Sequence, residues 1–180
     1  MRWMWGVSLA LGLLGTACDS GNTPMDIRGH DDADNVAERY ELRLTGTRAT
    51  NYEAAFASIR EVTITADGKP LTVALQPTAQ AMNLALADHS PLVAYFWLPS
   101  GSAAATVEVQ ARFDDFGAYQ EQASGSAGAL RFIPKPIHFR APVSELKRHH
   151  HAVIQLSLED SAAPAVRDSR LMLPNTVVSY

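Results

Sequence analysis

From residue 106 to 113 the chain alternates without a break. Val107, Val109, Ala111 and Phe113 are apolar, and Thr106, Glu108, Gln110 and Arg112 between them are polar. Successive side chains of a β-strand point to opposite faces, so this pattern gives one buried and one wet face, whereas a helix would scatter the same residues around its axis. The pattern recurs. Tyr40, Leu42 and Leu44 alternate with Glu41, Arg43 and Thr45, and Ile154, Leu156 and Leu158 alternate with Gln155, Ser157 and Glu159. Residues 59–65 and 71–75 flank Asp67-Gly68, a pair suited to the left-handed backbone of a tight hairpin turn. A weaker alternation runs through Met82, Leu84 and Leu86.

The remaining segments are read in the same way. Residues 92–98 (LVAYFWL) are apolar throughout and predict a strand buried on both faces, with Tyr95, Phe96 and Trp97 in the core beside Phe113. Residues 130–142 carry Pro134, Pro136 and Pro142, which donate no ladder hydrogen bond, so this segment belongs at a sheet edge. Residues 114–128, rich in Gly, Ser and Ala, are expected to form a loop, residues 144–147 a single helical turn, and residues 171–180 a closing strand. No helical period of useful length occurs, and strands do not alternate with helices. The class is therefore all-β. An antiparallel β-sandwich of seven to eight strands is expected, with a small barrel as the alternative.

Length and composition bound the rest. A chain of 180 residues is one domain's worth, and 47% hydrophobic with 19% charged residues suits a globular core. The organisation expected is residues 1–17 as a leader, 18–39 as an acidic tether and 40–180 as the sandwich. The formal net charge is −4. No basic stripe is available to displace counterions from a phosphate backbone, which excludes nucleic acid as an expected partner.

The leader starts with Met1-Arg2, a short positive stretch, followed by twelve uncharged residues (WMWGVSLALGLL) and then Gly15-Thr16-Ala17 ahead of Cys18. A membrane-spanning helix needs about 20 apolar residues, so this run fits the core of a signal peptide instead. The stretch Leu14-Gly15-Thr16-Ala17-Cys18 resembles the lipobox of bacterial lipoproteins, with Gly15 where leucine is usual. That resemblance implies removal of residues 1–17 and lipidation of Cys18, which ties the chain to a membrane and directs the domain to the periplasm or the cell surface. Cys18 is the single cysteine of the chain, so no intrachain disulfide can form, and lipidation would remove a free thiol from an oxidising compartment. A diacyl group supplies two chains, which suffices for stable anchoring. Asp19 follows, as in lipoproteins that enteric bacteria keep in the inner membrane; other groups sort differently, so inner and outer membrane both remain open. The tether, with Asp19, Asp26, Asp31, Asp32, Asp34 and Glu38, has a root-mean-square span of roughly 25 Å as a random coil.

A second resemblance rests on residues 59–75, the Leu98-Pro99-Ser100-Gly101 turn ahead of the 106–113 strand, and residues 153–161 ahead of Leu173-Pro174. On these segments residues 40–180 are similar to a domain family of bacterial lipoproteins with no assigned activity. The resemblance implies a prealbumin-like or immunoglobulin-like sandwich and brings no functional residues.

Few residues carry recognisable chemistry. Of the six histidines, His149, His150 and His151 are consecutive. If the Ile154 strand begins at His149, then His149 and His151 share a face, and His138 on a neighbouring strand adds a third nitrogen, a set that suits zinc or copper. Ser124-Gly125-Ser126-Ala127-Gly128 lacks the first glycine of a nucleophile elbow, and no zinc-protease, phosphate-loop or dinucleotide motif is present. A non-catalytic chain without a required cofactor is expected. Phe116 and Tyr119, placed in the expected 114–128 loop, are the aromatics most available for contact with an envelope protein or glycan. The function these features predict is a lipid-anchored module that binds or scaffolds something at the cell envelope. The rival readings are a metal-binding envelope protein and an envelope hydrolase with a site assembled from distant residues.

Overall fold

The computed structural model describes residues 36–164 and 169–180. The leader, Cys18 and the tether up to residue 35 lie outside the described residues. The described residues form fifteen strands, more than the seven to eight expected, because bulges and chain crossings cut the apolar runs into short pieces that change partner.

In chain order, β1 (Ala37–Thr47) starts three residues before the expected boundary and is followed by β2 (Tyr52–Ala57), β3 (Ile59–Ala66), β4 (Lys69–Pro70) and β5 (Thr72–Leu75). A 3-10 turn (Pro77–Gln80) precedes β6 (Met82–Asn83), the short remnant of the weak 82–86 alternation. Then come β7 (Leu92–Pro99), β8 (Thr106–Phe113), β9 (Phe116–Glu121), β10 (Ala127–Phe132) and β11 (Ile137–Pro142). Helix α1 (Val143–His149), β12 (His151–Ser157), α2 (Leu158–Ser161), β13 (Ala162–Pro164), β14 (Ser169–Met172) and β15 (Thr176–Ser179) complete it.

Three sheets result. Sheet A has the order β15-β12-β1-β7-β5, sheet B β13-β14-β10-β9-β2-β6, and sheet C β11-β8-β3-β4. Most neighbours are antiparallel, as a sandwich-like all-β fold requires, but β1 runs parallel to β12 and β10 parallel to β14. The clean alternations put their apolar side chains inside: Val107, Val109, Ala111 and Phe113 are buried, as are Tyr40, Leu42, Leu44, Ile154, Leu156 and Leu158. The last strand stops at Ser157, however, so Leu158 and Glu159 open α2 instead of extending it. The register of β1 sets Tyr40 beside Phe96 and Leu44 beside Ile154, so these side chains share the inner face of sheet A. The buried side chains of the three sheets join in one hydrophobic cluster, in which the Phe113 and Phe132 rings stack 4.4 Å apart.

Several expectations need correcting. Asp67 and Gly68 do turn the hairpin, both with positive φ, but only Lys69 and Pro70 pair back on β3. The chain then leaves sheet C, and β5 pairs with β7 in sheet A. The 92–98 strand is not buried on both faces throughout: Val93, Ala94, Phe96 and Leu98 are enclosed, whereas Tyr95 and Trp97 are half-covered, with the Arg39 guanidinium 4.6 Å from the Tyr95 ring centre. Most of the expected 114–128 loop is β9 and the start of β10, a hairpin inside sheet B. Of residues 130–142, only β11 lies at an edge; Leu130 and Phe132 sit in the interior strand β10, and the prolines are confined to the connection and to β11.

Candidate functional site

The histidines are divided between elements. His149 ends α1, His150 caps that helix in the left-handed conformation at φ 60°, and His151 opens β12. The strand geometry expected for His149 and His151 is therefore absent, although their rings come within 6.3 Å because the chain folds back between helix and strand. His149 Nε2 lies 3.5 Å from a carboxylate oxygen of Glu145, one helical turn earlier. His138 stands on β11 in sheet C, paired with Gln110, and is exposed. Among the described residues no group of three His, Cys, Asp or Glu side chains is gathered closely enough to hold a metal ion.

The two aromatics expected to share a loop surface sit on opposite faces of β9. Phe116 is 62% exposed on the outer face, with the Arg131 guanidinium 5.8 Å from its ring centre. Tyr119, three positions on, is buried on the inner face, because an odd separation along a strand reverses direction. Pairing of Phe56 with Ala118 puts Phe56 on the outer face with Phe116, and Phe56 is also exposed.

Tyr119 forms the base of a site that no sequence motif marked. β1 ends at Thr47, and a turn with Arg48 at φ 50° leads into β2, closed by the bond from Tyr52 N–H to the Ala49 carbonyl. Tyr52 pairs with Glu121 at the end of β9, and its ring meets the Tyr119 ring edge-on at 6.1 Å. Arg170 on β14 extends over Tyr119, 5.8 Å from its ring centre, and donates to Glu121 Oε1. Ser124 Oγ donates to the other oxygen of the same carboxylate at 2.8 Å. With two donors, Arg170 foremost and Ser124 second, the Glu121 carboxyl titrates below its ordinary value. Burial pushes the Tyr52 phenol up.

Two cavities open around these residues. One, of about 500 Å³, includes Tyr52, Glu121, Glu159 and Arg170 in its walls. The other, of about 710 Å³, includes Thr45, Thr47, Arg48, Glu53 and Asp88. Thr50, Tyr52 and Gln122 line both, so the cavities adjoin at Tyr52. Arg48 stands in the second cavity and reaches Glu159 and Asp160 of α2 at 2.8 and 2.7 Å. Both arginines of the groove are thus bound to carboxylates.

Sequence reading missed this site because Tyr52, Glu121 and Arg170 come from three distant segments. The one local signal was the polar run between Arg48 and Glu53. The chain matches no protein-family model, no curated protein and no solved structure.

Proposed function

We propose that this chain is a lipid-anchored, non-catalytic binding module of the bacterial cell envelope, tied to the inner or outer membrane through Cys18. The observation that carries the binding part is the groove whose two cavities adjoin at Tyr52. Its polar groups converge from separate strands and are held by each other, an arrangement that orients a ligand. Hydrogen bonds from Arg170 and Ser124 hold the Glu121 carboxyl below its ordinary value, so at neutral pH it is an acceptor for ligand donors and not a general acid. The anchor part rests on the lipobox-like stretch ending at Cys18.

The test is fractionation of native membranes with crosslinking, comparing the wild-type chain with Cys18→Ala. Wild type is expected in the membrane fraction with a captured partner, and Cys18→Ala in the soluble fraction without it. Identical behaviour of the two chains would remove the anchor from the proposal.

A further inference from the structure

We infer that the groove around Tyr52 takes a neutral, polyhydroxylated chain, a short oligosaccharide in chemical terms; this rests on the reading of the protein as a binding module. The first ground is shape. Each cavity falls within the roughly 300–1,000 Å³ of small-ligand clefts, and the two adjoin along shared walls, which suits a ligand of repeating units more than one compact molecule.

The second ground is charge. Four carboxylates line the two cavities, Glu53, Asp88, Glu121 and Glu159, against two cations. Arg170 is bound to Glu121, and Arg48 to Glu159 and Asp160. An anionic ligand would therefore meet a lining of net negative charge, four carboxylates against two guanidiniums, and would have to break an ion pair to reach a cation. A neutral polyol meets no such penalty, because its hydroxyls donate to carboxylates and exchange bonds with the Thr50 hydroxyl and the Asn51 and Gln122 amides.

The third ground is the aromatic at the junction. Tyr52 is half-buried, lines both cavities and is braced edge-on by Tyr119, so this aromatic side chain is held in place at the junction. A sugar ring has an apolar C–H face edged by hydroxyls, which matches an aromatic surface bordered by carboxylates and amides. A lysine-rich peptide would satisfy the acidic lining too, and its ammonium or alkyl stem would also pack on an aromatic ring, so it is the competing occupant that the tetralysine titration separates.

The experiment is titration of the full-length chain, in detergent, with cellotetraose, maltotetraose and chitotetraose, followed by ligand-observed NMR and calorimetry. Tetragalacturonate and tetralysine serve as the charged comparisons. At least one neutral tetrasaccharide is expected to bind, with Kd raised about tenfold by Tyr52→Ala and severalfold by Gln122→Ala. Gln122 is exposed, so its variant reports on the groove even if Tyr52→Ala does not fold. Binding of none of the neutral sugars, preference for the anion or the peptide, or sugar binding unchanged in folded Gln122→Ala would overturn the inference. A chain that sediments with membranes and captures a protein, yet binds no sugar, would lose this ligand class while keeping the anchored-module reading.

Discussion

Tyr40 shows how one side chain on β1 serves two environments. Its ring is fully buried, stacked 5.5 Å from Phe96, while its hydroxyl donates to Glu38 Oε2 at 2.6 Å. Residues two apart on a strand share a face, so the sequence already set Glu38 beside Tyr40. Burial first, and the neighbouring Glu38 carboxylate second, hold the phenol well above its ordinary value of 10.0. The neutral form is thus favoured by folding, and its contribution is complete below about pH 10 and is lost as the pH rises beyond it. Tyr40→Phe should cost about 1 kcal/mol at neutral pH, the worth of one bond to a partly exposed charged acceptor. It should also flatten the fall in denaturation midpoint above about pH 10. A variant that kept the wild-type alkaline slope would rule Tyr40 out as its source. Other residue-level constraints were invisible in sequence. A Cβ on Gly46 would stand 1.8 Å from the Leu84 carbonyl oxygen, and nothing near Gly46 in the chain announces that approach.

Among the elements, α1 illustrates what a one-turn expectation leaves out. Residues 144–147 carry good helix formers, but the helix runs on to His149, for two turns. Its N-cap is Pro142, whose side chain makes no capping bond. So short a helix is not stable by itself and depends on packing. Val143 and Leu146 are its buried residues, and Leu146 is fully enclosed. Leu146→Ala should therefore cost roughly 2–5 kcal/mol in chemical denaturation, a core-cavity value. A loss below about 1 kcal/mol would show that α1 is held by something other than that side chain. The β9–β10 hairpin was misread for a related reason. Gly117, Ala118, Gly128 and Ala129 have low strand propensity, yet the pairing of β9 with β2 and of β10 with β14 imposes the extended form. At Gly117 the absent side chain is itself the requirement, since a Cβ there would lie 2.1 Å from the Phe56 carbonyl oxygen.

For the whole molecule, period-two alternation identified β1, β3, β8 and β12 and the all-β class, because alternation is local. Partner choice is not local. Nothing within residues 37–47 states that they pair in parallel with residues about 110 positions later, as Leu44 does with Ile154. The groove shares that fate, being lined by residues of β2, β9 and β14, which lie in sheet B with β10 between β14 and β9. This topology makes the two ends of the domain unequal. β1 lies in the interior of sheet A between β12 and β7, and Tyr40, Leu42 and Leu44 enter the core from it. β15 lies at the sheet's edge, and its Val177 is 65% exposed. Deleting residues 37–47 would remove three buried side chains worth about 1.5–3 kcal/mol each and leave the facing edges of β7 and β12 unpaired. That sum reaches the 5–15 kcal/mol total typical of a domain, so the shortened chain should show no cooperative thermal transition. Ending the chain at Asn175 instead uncovers one edge of β12 and frees the partly buried Val178 and Tyr180. Calorimetry should then find a cooperative transition at a lower midpoint. If both truncations unfold the chain, β15 is as integral as β1 and the edge assignment does not describe its energetics; if both survive, the central position of β1 does not.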